Sequence, residues 1–114
     1  PQATTLSALA GRVATVLDAR GVQVVGPADR PVERVALVCG AGDDFLGDAV
    51  RVGADVLLAG EARFHRALEA RSQGIGLIVA GHHATERYGI QALGQAVAER
   101  FGIRVEFIDL DNPI

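Results

Sequence analysis

The sequence predicts an α/β fold, with a mainly parallel sheet flanked by helices. Three observations carry this. Short apolar or β-branched runs recur at residues 35–39, 55–59, 76–80 and 104–108, the length and composition of buried strands. Between them lie segments of helical period, 45–52, 62–73 and 85–101. Gly74 and Gly102 stand where the second and third of these helices should stop. Strands alternating with helices that fill the crossover are βαβ units, which build parallel sheets with right-handed connections.

In chain order, Thr4 and Thr5 can cap a first helix, whose apolar positions Leu6, Leu9, Ala10, Val13 and Leu17 recur at helical spacing; Gly21 is its expected stop. Residues 22–25 form a short strand, expected as an antiparallel or edge addition to the sheet. Residues 26–31 carry two prolines and a glycine and read as a turn or linker. The chain is therefore read as one α/β domain over 1–114, with a leading helix, strand and linker in 1–31 and a βαβ core in 32–114.

Composition narrows the function classes. At 114 residues the chain suits one domain that buries roughly two thirds of its unfolded surface. Its 49% hydrophobic and 22% charged residues argue against disorder. No apolar run approaches the ~20 residues of a membrane helix, so no membrane partner is expected. The net charge of −3 gives no general attraction to phosphate backbones, and nucleic acid is not expected as a partner. One cysteine, Cys39, permits no internal disulfide and no cysteine-based zinc site, which fits a cytoplasmic setting; inside an apolar run it reads as a small core residue.

In a parallel sheet every strand ends at one edge, so the strand-to-helix loops collect there whatever their separation in sequence. They read Gly40-Ala41-Gly42-Asp43-Asp44, Gly60-Glu61, Gly81-His82-His83-Ala84-Thr85-Glu86 and Asp109-Leu110-Asp111. In the third, imidazole nitrogen and carboxylate oxygen suit Zn, Mn or Fe, and His82 and Glu86, four apart, can converge on one ion, with His83 as a third donor at most. The plainer alternative is that Thr85 caps the helix, Glu86 complements its dipole and both histidines are solvated.

Glu61 and His65, also four apart at the start of the helix after the second long strand, share a face and make a candidate acid/base pair; the plainer alternative is an exposed pair on a solvated helix. Gly40-Ala41-Gly42-Asp43 could bring backbone amides to an anion. It lacks a P-loop lysine, however, and Phe45 stands where Gly-x-Gly-x-x-Gly needs its last glycine. A tight turn into a helix capped by Asp43 or Asp44 is the simpler expectation. Asp109 and Asp111 read as solubilising acids near the end of the chain.

Residues 35–42, residues 53–61 with His65, and Gly81-His82-His83-Ala84-Thr85-Glu86-Arg87 together resemble the C-terminal part of the Nif-three-like dinuclear-metal proteins, also labelled GTP cyclohydrolase 1 type 2 homologues. The resemblance runs from about Leu6 to Phe107. It implies that His82 and Glu86 are metal ligands in a two-metal centre, with Glu61 and His65 beside it in an acid/base or substrate-positioning role. His83 stands where the family commonly has an aromatic, and Ala59 where it often has Thr. The family's remaining ligands, an adjacent histidine pair and an aspartate, come from an N-terminal half that has no counterpart here. With Pro1 in place of an initiator Met, the chain resembles one lobe of a two-lobed protein.

The resemblance further implies two divalent transition-metal ions per full-length chain, a homo-oligomer, typically a hexamer, and a hydrolase acting on a nucleotide or phosphoester. The isolated lobe is expected to be inactive. The alternative is a non-catalytic, metal-bearing scaffold or regulatory interaction protein.

Overall fold

A computed structural model describes residues 3–114. Four strands form the main sheet: β2 (Gln23–Val25), β4 (Val35–Leu37), β5 (Val56–Ala59) and β6 (Gly76–Val79), in the order β2-β6-β5-β4. The pairs β4·β5 and β5·β6 are parallel, while β2 lies antiparallel on β6, with Val24 opposite Ile78. The predicted fold is therefore the observed one, with its single antiparallel strand at the edge. A second, two-stranded ladder joins β1 (Thr4–Thr5) to β3 (Pro31–Val32).

The helices cover both faces of the sheet because side chains alternate sides along a strand. Val56, Leu58 and Ile78 point to one face and pack with Leu6, Ala10 and Val13 of α1 (Leu6–Leu17). Leu57 and Leu77 point to the other, where they meet Leu46 and Ala49 of α2 (Leu46–Arg51) and Ala70 of α3 (Phe64–Gln73). All four residues of β5 are buried, as a central parallel strand requires.

Local sequence sets most boundaries. Thr5, in extended conformation, caps α1 by accepting a bond from the Ala8 amide. The helix does not run on to Gly21: Asp18 takes the left-handed conformation (φ 50°) and ends it. Gly74 and Gly102 end α3 and α4 (His82–Phe101) in the same conformation, as expected. Residues 26–31 fold back on α1, whose first amides, Leu6 and Ser7, donate to the carbonyls of Arg30 and Ala28.

Two expectations are corrected. Residues 104–108 form no strand. A 20-residue α4 carries the chain ~30 Å from the strand ends at 1.5 Å per residue, and a β-branched sequence without a neighbouring strand has nothing to bond. The third helical segment also begins at His82, ahead of the expected Thr85, so the His-His-x-x-Glu motif is itself helical.

The opposite edge of the sheet is held by Asp55. Its carboxylate accepts from the amides of Glu33 (2.9 Å) and Arg34 (2.8 Å), and its carbonyl accepts from Gly76 at the start of β6. The Arg34 amide first, then that of Glu33, holds the Asp55 carboxyl below its ordinary range. A depressed native pKa contributes stability at pH values above the unfolded-state pKa, and loses it as pH falls through the folded value. Asp55→Asn should therefore cost about 1 kcal/mol in urea unfolding at pH 7. The gap from wild type should close on acidification below about pH 4. An equal gap at both pH values would exclude this role.

Candidate functional site

The site is built on a glycine just past the end of each parallel strand. Gly40, Gly60 and Gly81 follow β4, β5 and β6 by one to three positions, and their backbones are bonded to one another. The Gly40 carbonyl accepts from the amides of Gly42, Gly60 and Glu61 at 2.9 to 3.0 Å, and the Gly60 carbonyl accepts from Gly81 at 2.9 Å. Glycine is required by space at Gly60 and by backbone conformation at Gly40. A Cβ on Gly60 would lie 2.7 Å from the Gly40 carbonyl oxygen, and one on Gly40 would lie 2.3 Å from Glu86 Oε1 and 3.0 Å from His82 Nε2. Gly40 also has φ +63°, a conformation that disfavours side chains.

Thr85 locks this floor to the helix above it. It does not cap α4; its hydroxyl oxygen accepts from the Gly40 amide at 3.0 Å and lies 3.0 Å from the carbonyls of Gly81 and His82, where it can donate back into the helix. A further latch joins the β4 and β5 loops. Asp43, only 5% exposed, accepts from the backbone amide and Nε of Arg63, both at 2.9 Å. The Arg63 guanidinium holds the Asp43 carboxyl below its usual range, and Asp44 is lowered likewise by Arg66 and then Arg63. Residues 43–45 form a 3-10 turn without a side-chain cap, so the capping expected of Asp43 or Asp44 gives way to this arginine pairing.

Over the floor, the first turn of α4 places His82 Nε2 3.1 Å from Glu86 Oε1, the helical neighbour relation expected of residues four apart. His82 Nδ1 lies 3.0 Å from Glu61 Oε1. The imidazole is thus bracketed by two carboxylates, one from its own helix and one from the β5–α3 loop. The structure separates Glu61 from His65. Because α3 starts only at Phe64, Glu61 lies outside it, and the spacing of four has no helical meaning there. His65 is exposed and is not among the residues lining the cleft described below. The partnership of Glu61 with His82 spans 21 positions and leaves no periodic signal in the sequence.

His82, His83, Glu86 and Glu61 line an open cleft of about 1020 Å³, whose far wall is the segment around Asp109–Asn112. The donor chemistry fits a divalent transition metal, since Nε2 and Oε1 already converge and a carboxylate on the other ring nitrogen is the usual means of orienting a ligating histidine. Two convergent donors make only part of a site: among the described residues no three His, Cys, Asp or Glu side chains are grouped to hold an ion. Cys39 is exposed, contrary to the core position expected of it.

Known proteins place this arrangement. The family model Duf34/NIF3 (NGG1p interacting factor 3) matches residues 1–113. A GTP cyclohydrolase 1 type 2 homolog of Neisseria meningitidis is 44% identical over 98% of this chain, and one of Vibrio cholerae is 41% identical over 99%. This chain spans 45% of the length of each. The crystal structure of a Bacillus cereus protein related to NIF3 superposes with a TM-score of 0.85 at 30% identity, over 99% of this chain and 33% of that one. Motif order, fold and matched length agree: the chain belongs to the Duf34/NIF3 family.

Proposed function

We propose that this chain is a lobe of a metal-dependent hydrolase that contributes His82 and Glu86 to a dinuclear centre for divalent transition ions, Zn, Mn or Fe. The observation that carries the proposal is the convergence of His82 Nε2 and Glu86 Oε1 over a glycine with no room for a side chain, while Glu61 faces the other ring nitrogen. When bound, such ions supply Lewis acidity for hydrolysis of a phosphoester or nucleotide ring bond. The chain's own residues do the positioning. Glu61, 3.0 Å from Nδ1, favours the tautomer protonated there and orients the ring, which would leave the Nε2 lone pair for the ion. Glu61 is therefore a positioning residue, and His65 takes no part in this reading.

The remaining ligands would come from outside these 114 residues, in keeping with relatives about twice as long. Self-association is part of the proposal. Helix α4 exposes Ile90, Leu93 and Phe101, and Ala84 in its first turn is its only buried residue, so a long apolar surface is left to be covered by another lobe or copy. A cytoplasmic setting is proposed on the single cysteine; no helix is long and apolar enough to cross a membrane among the described residues. One observation favours the non-catalytic reading, a metal-bearing scaffold: Glu61 and Glu86 both engage His82, which leaves neither obviously free to carry protons. Turnover of GTP or simple phosphoesters by the metal-loaded, longer protein decides for the hydrolase, and none on any of them for the scaffold.

Calorimetric titration of the chain with Zn²⁺ or Mn²⁺ should reveal one weak site. His82→Ala and Glu86→Ala should each weaken it at least about tenfold with the circular dichroism of the fold unchanged; equal affinity in both variants would overturn the ligand assignment. Glu61→Gln keeps the size of the side chain and removes its charge. It should cost about 10- to 100-fold in affinity, whereas His65→Ala should cost nothing. The reverse ranking would return His65 to the site.

A further inference from the structure

The same cleft contains arginines that the metal reading does not use. Arg87 follows Glu86 on α4 and lines the cleft with His83. Its guanidinium is supported by the Tyr88 ring, 5.3 Å from the centroid, and its Nε is buried without a hydrogen-bond partner. Its carboxylate neighbour, Asp109, stands at 3.9 Å, beyond the ~3.2 Å limit of a made hydrogen bond. On the other side of the cleft Arg20, largely exposed, stands 3.8 Å from Asp111 and donates to the Asn112 carbonyl at 3.5 Å. Arg63 and Arg66 are bonded through their guanidinium groups to Asp43, Asp44 and Glu69, although Arg66 Nε, like that of Arg87, is buried without a partner; unlike Arg87, neither lines the cleft.

A buried guanidinium N–H without a partner is costly, and loose ion pairs at partly exposed positions recover little of that cost. The geometry points to an anion subsite: Arg87, with Arg20 across the cleft, receives the phosphate group of a phosphomonoester, and Asp109 and Asp111 occupy the guanidinium groups in its absence. A planar fork of donors matches a phosphate oxygen pair bidentately, and a cleft of about 1020 Å³ has the size of a nucleotide site rather than one for a lone ion. The inference rests on the proposed function only in taking this cleft as the substrate site; it names the substrate as a phosphate-bearing one held one residue along the helix from Glu86.

The test is made on the metal-free chain in EDTA, so that it is independent of whether His82 and Glu86 bind metal. Inorganic phosphate and a nucleoside 5′-monophosphate are titrated separately and followed by amide chemical shifts. Shifts should centre on His83, Arg87 and the 109–112 segment, with the nucleotide bound more tightly than phosphate. Arg87→Gln should weaken both at least tenfold, Arg87→Lys less, and Asp109→Asn should tighten both severalfold by removing the competing carboxylate. Equal affinity in wild type and Arg87→Gln would overturn the subsite. So would an Asp109→Asn variant that loses thermal stability but binds neither ligand more tightly, the behaviour of an Arg87–Asp109 pair that only anchors the tail; this variant also decides the matter should Arg87→Gln not fold.

Discussion

The carbonyl oxygen of Gly40 is the point on which the site depends. It accepts three amide protons, from Gly42, Gly60 and Glu61, and so binds the end of β4 to the end of β5 and fixes where Glu61 begins. Gly60 passes the tie to Gly81, which sets the first residue of α4, and Thr85 returns it to the Gly40 amide. The loop is closed. Because each contact is backbone or a short side chain, the ends of β4 and β5 approach more closely than a Cβ on Gly60 would allow, and His82 and Glu86 come to rest directly on Gly40. The position of the candidate ligands is thus a consequence of three strand-end glycines and one threonine.

This arrangement needs a sheet that does not shift beneath it. Leu57 and Leu77 on one face and Val56, Leu58 and Ile78 on the other are each at most 6% exposed, and burial of such side chains is worth roughly 1.5 to 3 kcal/mol apiece. The register is pinned at both edges by polar contacts of different kinds. Asp55 gathers the starts of β4 and β6, while the glycine floor gathers the ends of β4, β5 and β6. The Asp43–Arg63 latch lies beside that floor and holds the two loops that bring Gly40 and Glu61 together. Stability and site geometry therefore share the same bonds, and a change at the strand ends should disturb the site before it unfolds the core.

What the sequence made legible follows from which interactions are local. The βαβ alternation, the capping by Thr5, the glycine stops at Gly74 and Gly102, and the convergence of His82 with Glu86 all arise within a few positions of one another, where periodicity and propensity speak directly. Contacts between distant segments left no such trace. The spacing of four between Glu61 and His65 implies one helical face, yet α3 starts only at Phe64 and Glu61 stands against His82 instead. Residues 104–108 have the composition of a strand but pair with none, running back along α4 with Val105 against Gly94.

Function enters through the same floor. This chain, which spans 45% of the length of its relatives, carries a complete strand-end platform, so the candidate pair His82 and Glu86 is organised by residues of this chain alone. Native-state hydrogen exchange tests that claim most directly. The amides of Gly60, Glu61 and Gly81 should be protected to the same degree as those of Leu57 and Leu77 in the central strands, and Thr85→Val should release the Gly40 amide while the strands stay protected. Exchange of Gly60, Glu61 and Gly81 at the rate of open loop amides would contradict it, leaving His82 and Glu86 without the rigid support on which their assignment depends.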